Sequence, residues 1–297
     1  MISLDKILNG LMTRYQKRVP DVEKILNAMV VHKLIVNPTA IENDHIAFRT
    51  MGVEHLGIAS LEKIFLHHGY TAQNVYHFEQ KKVRAKWYAP PHQRYPRIFI
   101  SELLVDDLPL ETQKTIRSYT DEVETDPVDS LNLDAAVQVD DFLHSALWRT
   151  PTLNDYKKLA EISEYAAWVI YNRYYLNHYT ISVHQLPEGF NTLEAFNAFL
   201  VSEGILLSNA GGLVKKSKDG LLLQSSTVSQ LCEATFAHGE KTHIPGSYVE
   251  FAERKVLPEF AHLPKDEIKR KHRREGFETA NADKIFESTF TSQVSRR

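Results

Sequence analysis

The sequence predicts an α+β fold made of two β-α-β-β-β modules, with added helices at the N-terminus, between the modules and at the C-terminus. Two observations carry this. A histidine heads a strand-like run twice, in Asp44-His45-Ile46-Ala47-Phe48-Arg49-Thr50 and in Asn177-His178-Tyr179-Thr180-Ile181-Ser182-Val183. Each run is followed by an amphipathic helix of similar size and then by further strands. Identity between the copies is low, but the order of elements repeats, and order is the stronger sign of duplication. A duplicated unit that sets one imidazole at the same place in each copy is a way to build a metal site between two halves of one protein.

Residues 1–40 read as N-terminal helices. Leu4, Ile7, Leu8, Leu11 and Tyr15 share one helical face, and Val22, Ile25, Leu26, Met29 and Val30 repeat that spacing. The first module occupies 41–104. In its first strand His45, Ala47 and Arg49 point one way, Ile46 and Phe48 the other. Ser60 is the expected N-cap of its helix and Gly69 the expected stop. Strands follow at 74–79, 82–89 and 97–104. A helical insertion, 105–175, is punctuated by Asp126-Pro127 and Arg149-Thr150-Pro151 and ends in one long helix from Tyr156 to Tyr175. The second module, 176–257, has a strand at 177–186 and a helix that starts at Thr192 and stops near Gly204. Its later strands fall at 205–208, 211–217, 220–226 and 247–254. With the histidines superposed, Leu61-Glu62 and Leu193-Glu194 align within one residue. The C-terminal segment, 258–297, is charged from Lys265 to Glu275 and then carries Phe277, Ile285 and Phe286, as expected for a docked helix rather than a lid. All five segments are expected to form one compact domain.

Composition excludes more than it assigns. At 297 residues the chain is ample for a core, and 43% hydrophobic with 25% charged residues is ordinary. A net charge of −3 gives no basis for a nucleic-acid or anionic-membrane partner. No run is long enough to span a bilayer, and the first residues lack the basic-then-apolar order of a signal peptide. The single cysteine, Cys232, excludes an internal disulfide, sits among apolar neighbours and reads as a packing residue. Together these predict a reducing, cytoplasmic location.

The last strand of each module carries a glutamate: Glu250 in Ser247-Tyr248-Val249-Glu250-Phe251-Ala252-Glu253-Arg254, and Glu102 in Ile98-Phe99-Ile100-Ser101-Glu102. Two histidines and one carboxylate can occupy one face of an octahedral divalent ion and leave three positions open. The residue types suit Fe(II), Mn(II), Ni(II) and Zn(II) alike. His184 shares the strand parity of His178 and is a competing ligand. His67 and His68 are neighbours on a helix and are expected to face solvent without converging. His238 and His243 fall in a loop-like stretch. Arg49 lies four residues after His45 on the same strand face, about 13 Å along the chain. Its planar, two-pronged donor suits a substrate carboxylate, or else forms an ordinary surface ion pair. Gln224 and Ser226 share one face of a strand, where they orient the substrate or a ligand, or simply bond within the sheet.

These segments, with Ser163-Glu164-Tyr165-Ala166-Ala167-Trp168, Leu223-Gln224-Ser225-Ser226-Thr227 and the stretch Gly276 to Thr289, resemble the 2-oxoadipate dioxygenase/decarboxylase (hydroxyglutarate synthase) family over nearly the whole chain. That family belongs to the vicinal oxygen chelate superfamily, whose paired modules form a partly closed barrel of glyoxalase/dioxygenase type. The resemblance implies an Fe(II) site of His45, His178 and Glu250, with Arg49 binding substrate. A second substrate arginine is not placed by motif. Arg254, which shares the strand parity of Glu250, and Arg274 are the candidates. Glu102 is expected near the site without ligating the metal. The implied substrate is a 2-oxo diacid that chelates the iron through its 1-carboxylate and keto oxygen, with O2 at the remaining position. For 2-oxoadipate the products are 2-hydroxyglutarate and CO2.

Two rivals stand beside this reading. One is a redox-inert Zn or Ni lyase, isomerase or hydrolase of the same fold, which ligation by Glu102 and activity without oxygen would favour. The other is a non-catalytic protein that sequesters a small anion between the modules.

Overall fold

The computed structural model describes residues 3–297 and sets the two histidine-headed strands side by side at the centre of one sheet. Helices α1 (Ser3–Arg18) and α2 (Pro20–Val31) come first. The first module is β1 (Asn43–Gly52), α3 (Gly57–His67), β2 (Thr71–Phe78), β3 (Val83–Ala89) and β4 (Arg97–Leu104). The insertion holds α4 (Leu110–Thr120), α5 (Ala136–Leu143), α6 (Leu153–Ile162) and α7 (Glu164–Asn172). The second module is β5 (His178–Ser182), α8 (Leu193–Ser202), β6 (Lys215–Lys216), β7 (Leu222–Ser226), β8 (Leu231–Thr235), β9 (Lys241–Pro245) and β10 (Tyr248–Arg254). Helices α9 (Thr279–Phe286) and α10 (Thr291–Val294) end the chain. One hydrophobic core runs from Leu4 to Phe286.

The main sheet has eight strands in the order β2-β3-β4-β1-β5-β10-β7-β6. Within each module the first and last strands are parallel, β1 with β4 and β5 with β10. The modules join through the antiparallel pair β1–β5. Helix α9 touches β2 at one edge and β6 near the other, so the sheet curls into a half-barrel and α9 spans its mouth.

The register corrects how the modules correspond. His45 lies opposite Arg97, and His178 opposite Tyr248. Counting along each last strand, Phe99 is therefore the counterpart of Glu250, and Glu102 the counterpart of Glu253. Each of the latter pair caps a helix. Glu102 Oε2 accepts from the Ile58 N–H (2.7 Å) at the start of α3, and Glu253 Oε2 from the Leu193 N–H (2.8 Å) at the start of α8. A carboxylate there satisfies an orphan donor and meets the positive end of the helix. Glu102 thus faces α3, on the side of the sheet away from His45, and is not near the site as expected. The same capping makes Ile58, not Leu61, the counterpart of Leu193. Glu102→Ala is expected to lower stability by about 1–2 kcal/mol and to leave metal content unchanged, read by thermal melting and elemental analysis.

Other expectations shift for local reasons. Ser60 does not cap α3. It lies inside the helix, and its hydroxyl donates to Asp126 Oδ1 at 2.7 Å. The long helix over 156–175 is two helices, because Ser163 adopts an extended backbone and its Oγ accepts from the Ala166 N–H to start α7. Strand β5 stops at Ser182, where Val183–Gln185 turns as a short 3-10 helix. The strand expected at 205–208 is a single bridge, Leu207 to Thr227, and the one at 211–217 shrinks to Lys215–Lys216. The hairpin β8–β9 forms a separate two-stranded sheet that the sequence reading did not contain.

Candidate metal centre

Three adjacent strands each supply one donor. His45 comes from β1, His178 from β5 and Glu250 from β10, all buried. His178 Nε2 lies 3.1 Å from Glu250 Oε2, His45 Nε2 lies 3.5 Å from the same oxygen, and the two Nε2 atoms are 3.4 Å apart. One ion with bonds of about 2.1 Å needs cis donors about 3.0–3.4 Å apart, so this triangle fits a single ion. The far side of each ring is fixed by the preceding residue. His45 Nδ1 donates to Asp44 Oδ1 (2.8 Å), and His178 Nδ1 to Asn177 Oδ1 (3.0 Å). A proton held on Nδ1 leaves the Nε2 lone pair free, which is how metal-binding histidines are oriented. Burial opposes ionisation of Glu250, but the His45 and His178 rings outweigh it and hold the carboxyl well below the usual range. Gln224 Nε2 donates to Glu250 Oε1 (2.7 Å), and Asn281 in turn donates to Gln224 Oε1 (3.0 Å). Gln224 therefore orients the Glu250 carboxylate. Thr180 Oγ1 stands 3.1 Å from His45 Nε2.

Asp44 is the hub behind this triangle. Besides His45 it accepts from Arg254 Nε (2.6 Å), from Arg254 through a second nitrogen (2.9 Å) and from Arg97 (3.1 Å). Burial resists its charge, but Arg254 and Arg97 prevail and hold its carboxyl well below the usual range. The remaining Arg254 nitrogen donates to the carbonyls of Arg274 and Gly276. Four of its five N–H donors thus have protein partners, which places Arg254 behind His45, where it fixes that ring's orientation through Asp44. Asp44→Asn leaves two buried guanidinium groups short of their shared anion. It is expected to cost roughly 3–5 kcal/mol and about 10–100-fold in metal affinity. Because the native carboxyl is depressed, its contribution is complete above the unfolded value of about 3.9 and fades as the pH falls toward the folded one. Acid denaturation of the variant should lack that contribution.

Arg49 is fully buried, and its terminal nitrogens donate to Thr289 Oγ1 (2.9 Å) and the Phe286 carbonyl (3.0 Å). Its Nε has no partner, and no carboxylate pairs with it among the described residues. The rings of Tyr165, Trp168 and Phe286 lie 5.1–5.4 Å from its guanidinium carbon. Its charge is felt at His178. Ser226 pairs with Ser288 (2.8 Å) and holds the C-terminal segment. His184 falls beyond β5, accepts from the Arg254 N–H (3.2 Å), and is neutral, pushed down to about 3 by burial. It is not an alternative ligand. Arg274 binds Asp219 and the carbonyls of Glu275 and Phe277. Away from this site, His67, His68 and Asp134 do converge, with ligand atoms within 4.8 Å, although adjacent helical histidines were expected not to.

The space over the triangle is walled by Phe99, Phe277, Ala282, Ile285 and Phe286 and closes to a cavity of about 10 Å³. That is room for about one water. The Phe277 ring meets the His45 ring edge-on at 4.8 Å. The C-terminal segment is a docked helix, as expected, and it also roofs the site. Sequence reasoning assigned no role to Asp44, Asn177, Thr180, Phe99 or Asn281. The signal for two of them was present, since a short polar acceptor precedes each histidine.

Fold and triangle together define a vicinal oxygen chelate-type protein with a candidate mononuclear metal centre. The 2-oxoadipate dioxygenase/decarboxylase family matches residues 7–263, and the chain belongs to it. It is 43% identical over 302 residues to the chloroplastic 2-oxoadipate dioxygenase/decarboxylase of Arabidopsis thaliana, covering 98% of this chain and 78% of that protein. It is 44% identical over 264 residues to the chloroplastic/amyloplastic enzyme of that name from Oryza sativa subsp. japonica, covering 86% and 71%. The crystal structure of hydroxyglutarate synthase in complex with 2-oxoadipate from Oryza sativa superposes with a TM-score of 0.88 at 40% identity, covering 98% of this chain and 93% of that one. A putative glyoxalase superfamily protein from Ralstonia eutropha JMP134 shares the fold, with a TM-score of 0.68 at 19% identity, covering 92% and 84%. These relatives overturn the cytoplasmic expectation, because both curated proteins carry plastid names. A lone cysteine excludes an internal disulfide and does not separate one reducing compartment from another.

Proposed function

We propose that this chain is an Fe(II)-dependent dioxygenase/decarboxylase that converts 2-oxoadipate and O2 to 2-hydroxyglutarate and CO2. One observation carries the reading. Three protein donors converge at a buried point whose fourth corresponding position is the apolar Phe99, and the strand of His45 also carries a buried cation, Arg49, that no carboxylate among the described residues neutralises. Such a donor set leaves coordination positions open for a chelating acid and supplies charge for it. The names of the relatives and the bound acid in the rice structure support the substrate.

In this reading His45, His178 and Glu250 hold the ion. When bound, Fe(II) supplies the activation of dioxygen that side chains cannot perform. The chain's own residues do the rest. Asp44, Asn177 and Gln224 keep the three donors aimed at one point. Arg49 binds a carboxylate of the substrate and orients its 2-oxo end. Phe99, Phe277, Ile285 and Phe286 exclude water while the reaction proceeds. The redox-inert rival loses one of its two distinguishing features, because Glu102 is committed to the N-terminus of α3; activity without oxygen is the other.

The test is an anaerobic titration. The protein should take up one Fe(II) per chain and bind 2-oxoadipate tightly only once the metal is present. Equal binding of the acid with and without metal would overturn the chelation reading and favour the anion-sequestering one.

A further inference from the structure

Four arginines and lysines are buried among the described residues: Arg49, Arg97, Lys215 and Arg254. Arg97 and Arg254 are paired with carboxylates. Arg49 and Lys215 form no ion pair among the described residues. Lys215 is 4% exposed, and its Nζ donates to one group, the Ser208 carbonyl at 3.2 Å. An ammonium has three donors, and burying one without an anion is unfavourable unless something else uses the charge.

Its place in the sheet says what that is. Lys215 lies opposite Gln224, and Gln224 opposite Ala252. Cross-strand partners share a face, so Lys215 stands on the concave face with Gln224, Ser226 and Glu250. Ser208 bonds to Ser226, which is opposite Glu250, so the Nζ ends near the row of Glu250, beyond β7. The Glu250 and Glu287 carboxylates act on it, although burial dominates and lowers its pKa to about 8. Arg49 lies on β1, on the other side of the triangle. Strands β1 and β6 are four positions apart, about 19 Å at ~4.8 Å per strand before the sheet curls. Arg49 and Lys215 therefore stand on the same face of the sheet, on opposite sides of the triangle.

We propose that Lys215 anchors the far carboxylate of a dicarboxylate whose 2-oxo end lies at the His45–His178–Glu250 triangle, and so selects diacids over monoacids. This rests on the function proposed above and adds the residue that sets its substrate class. The test uses the Fe(II)-loaded full chain without oxygen, titrated calorimetrically with 2-oxoadipate and with 2-oxohexanoate, which lacks the far carboxylate. Lys215→Met should weaken 2-oxoadipate binding about 10- to 100-fold and leave 2-oxohexanoate binding unchanged. Lys215→Arg should keep part of the preference for the diacid. Without ligand, Lys215→Met should melt no lower than wild type, since it replaces a buried unpaired charge with an apolar chain of similar length. Unchanged 2-oxoadipate binding in Lys215→Met overturns the inference, and so does an equal loss for both acids. Failure of the wild-type protein to bind either acid overturns the proposed function and this inference with it.

Discussion

His178→Ala is expected to abolish metal retention and turnover together. The substitution removes one of three donors that converge within 3.5 Å of each other and leaves His45 and Glu250 as a two-donor remnant. Second-sphere changes at metal sites weaken binding about 10–100-fold, and loss of a ligating nitrogen should exceed that. The fold should survive, because β5 remains paired on both sides and, among the described residues, the side chain's other hydrogen bond is to its neighbour Asn177. Circular dichroism separates metal loss from unfolding. Added imidazole should restore part of the metal content by filling the vacated position. Wild-type metal content in the purified variant would remove His178 from the site.

Arg49→Met is expected to spare the metal and cripple the substrate. Arg49 touches none of the three donors, so metal content should match wild type. A charged hydrogen bond is worth about 1.5–3 kcal/mol, and a forked carboxylate contact uses two. Affinity for 2-oxoadipate should therefore fall on the order of 100- to 1,000-fold. Arg49→Lys keeps the charge without the fork and should fall between the two. The readout is calorimetry on Fe(II)-loaded protein without oxygen. The same binding in Arg49→Met as in wild type would make Arg49 only a strut for the C-terminal segment, through Thr289 and the Phe286 carbonyl.

The duplicated modules and the triangle were legible because they rest on local signals: a histidine at the head of a strand, and a helix at a fixed distance after it. What was not legible depends on pairing between distant segments. Matching Glu102 with Glu250 follows from taking the glutamate of each last strand as its landmark. Only the register, with His45 opposite Arg97 and His178 opposite Tyr248, puts Phe99 in that place. Strand parity was right that Arg254 points inward from β10, but its partner Asp44 is 210 residues away. Lys215 sits in Val214-Lys215-Lys216-Ser217-Lys218, largely within the strand expected at 211–217, and no role was assigned to it. It is buried because α9, far along the chain, packs over β6 and β7. Ser163 broke a helix that its apolar neighbours otherwise support, by capping the next turn with its own hydroxyl.

The most direct test of the account is oxygen uptake by the Fe(II)-loaded protein given 2-oxoadipate, with the products weighed by mass spectrometry. The account predicts one O2 consumed and one CO2 released for each 2-hydroxyglutarate formed. Conversion of the acid without oxygen consumption, undiminished when Zn(II) replaces iron, would contradict it and make the chain a redox-inert metalloenzyme.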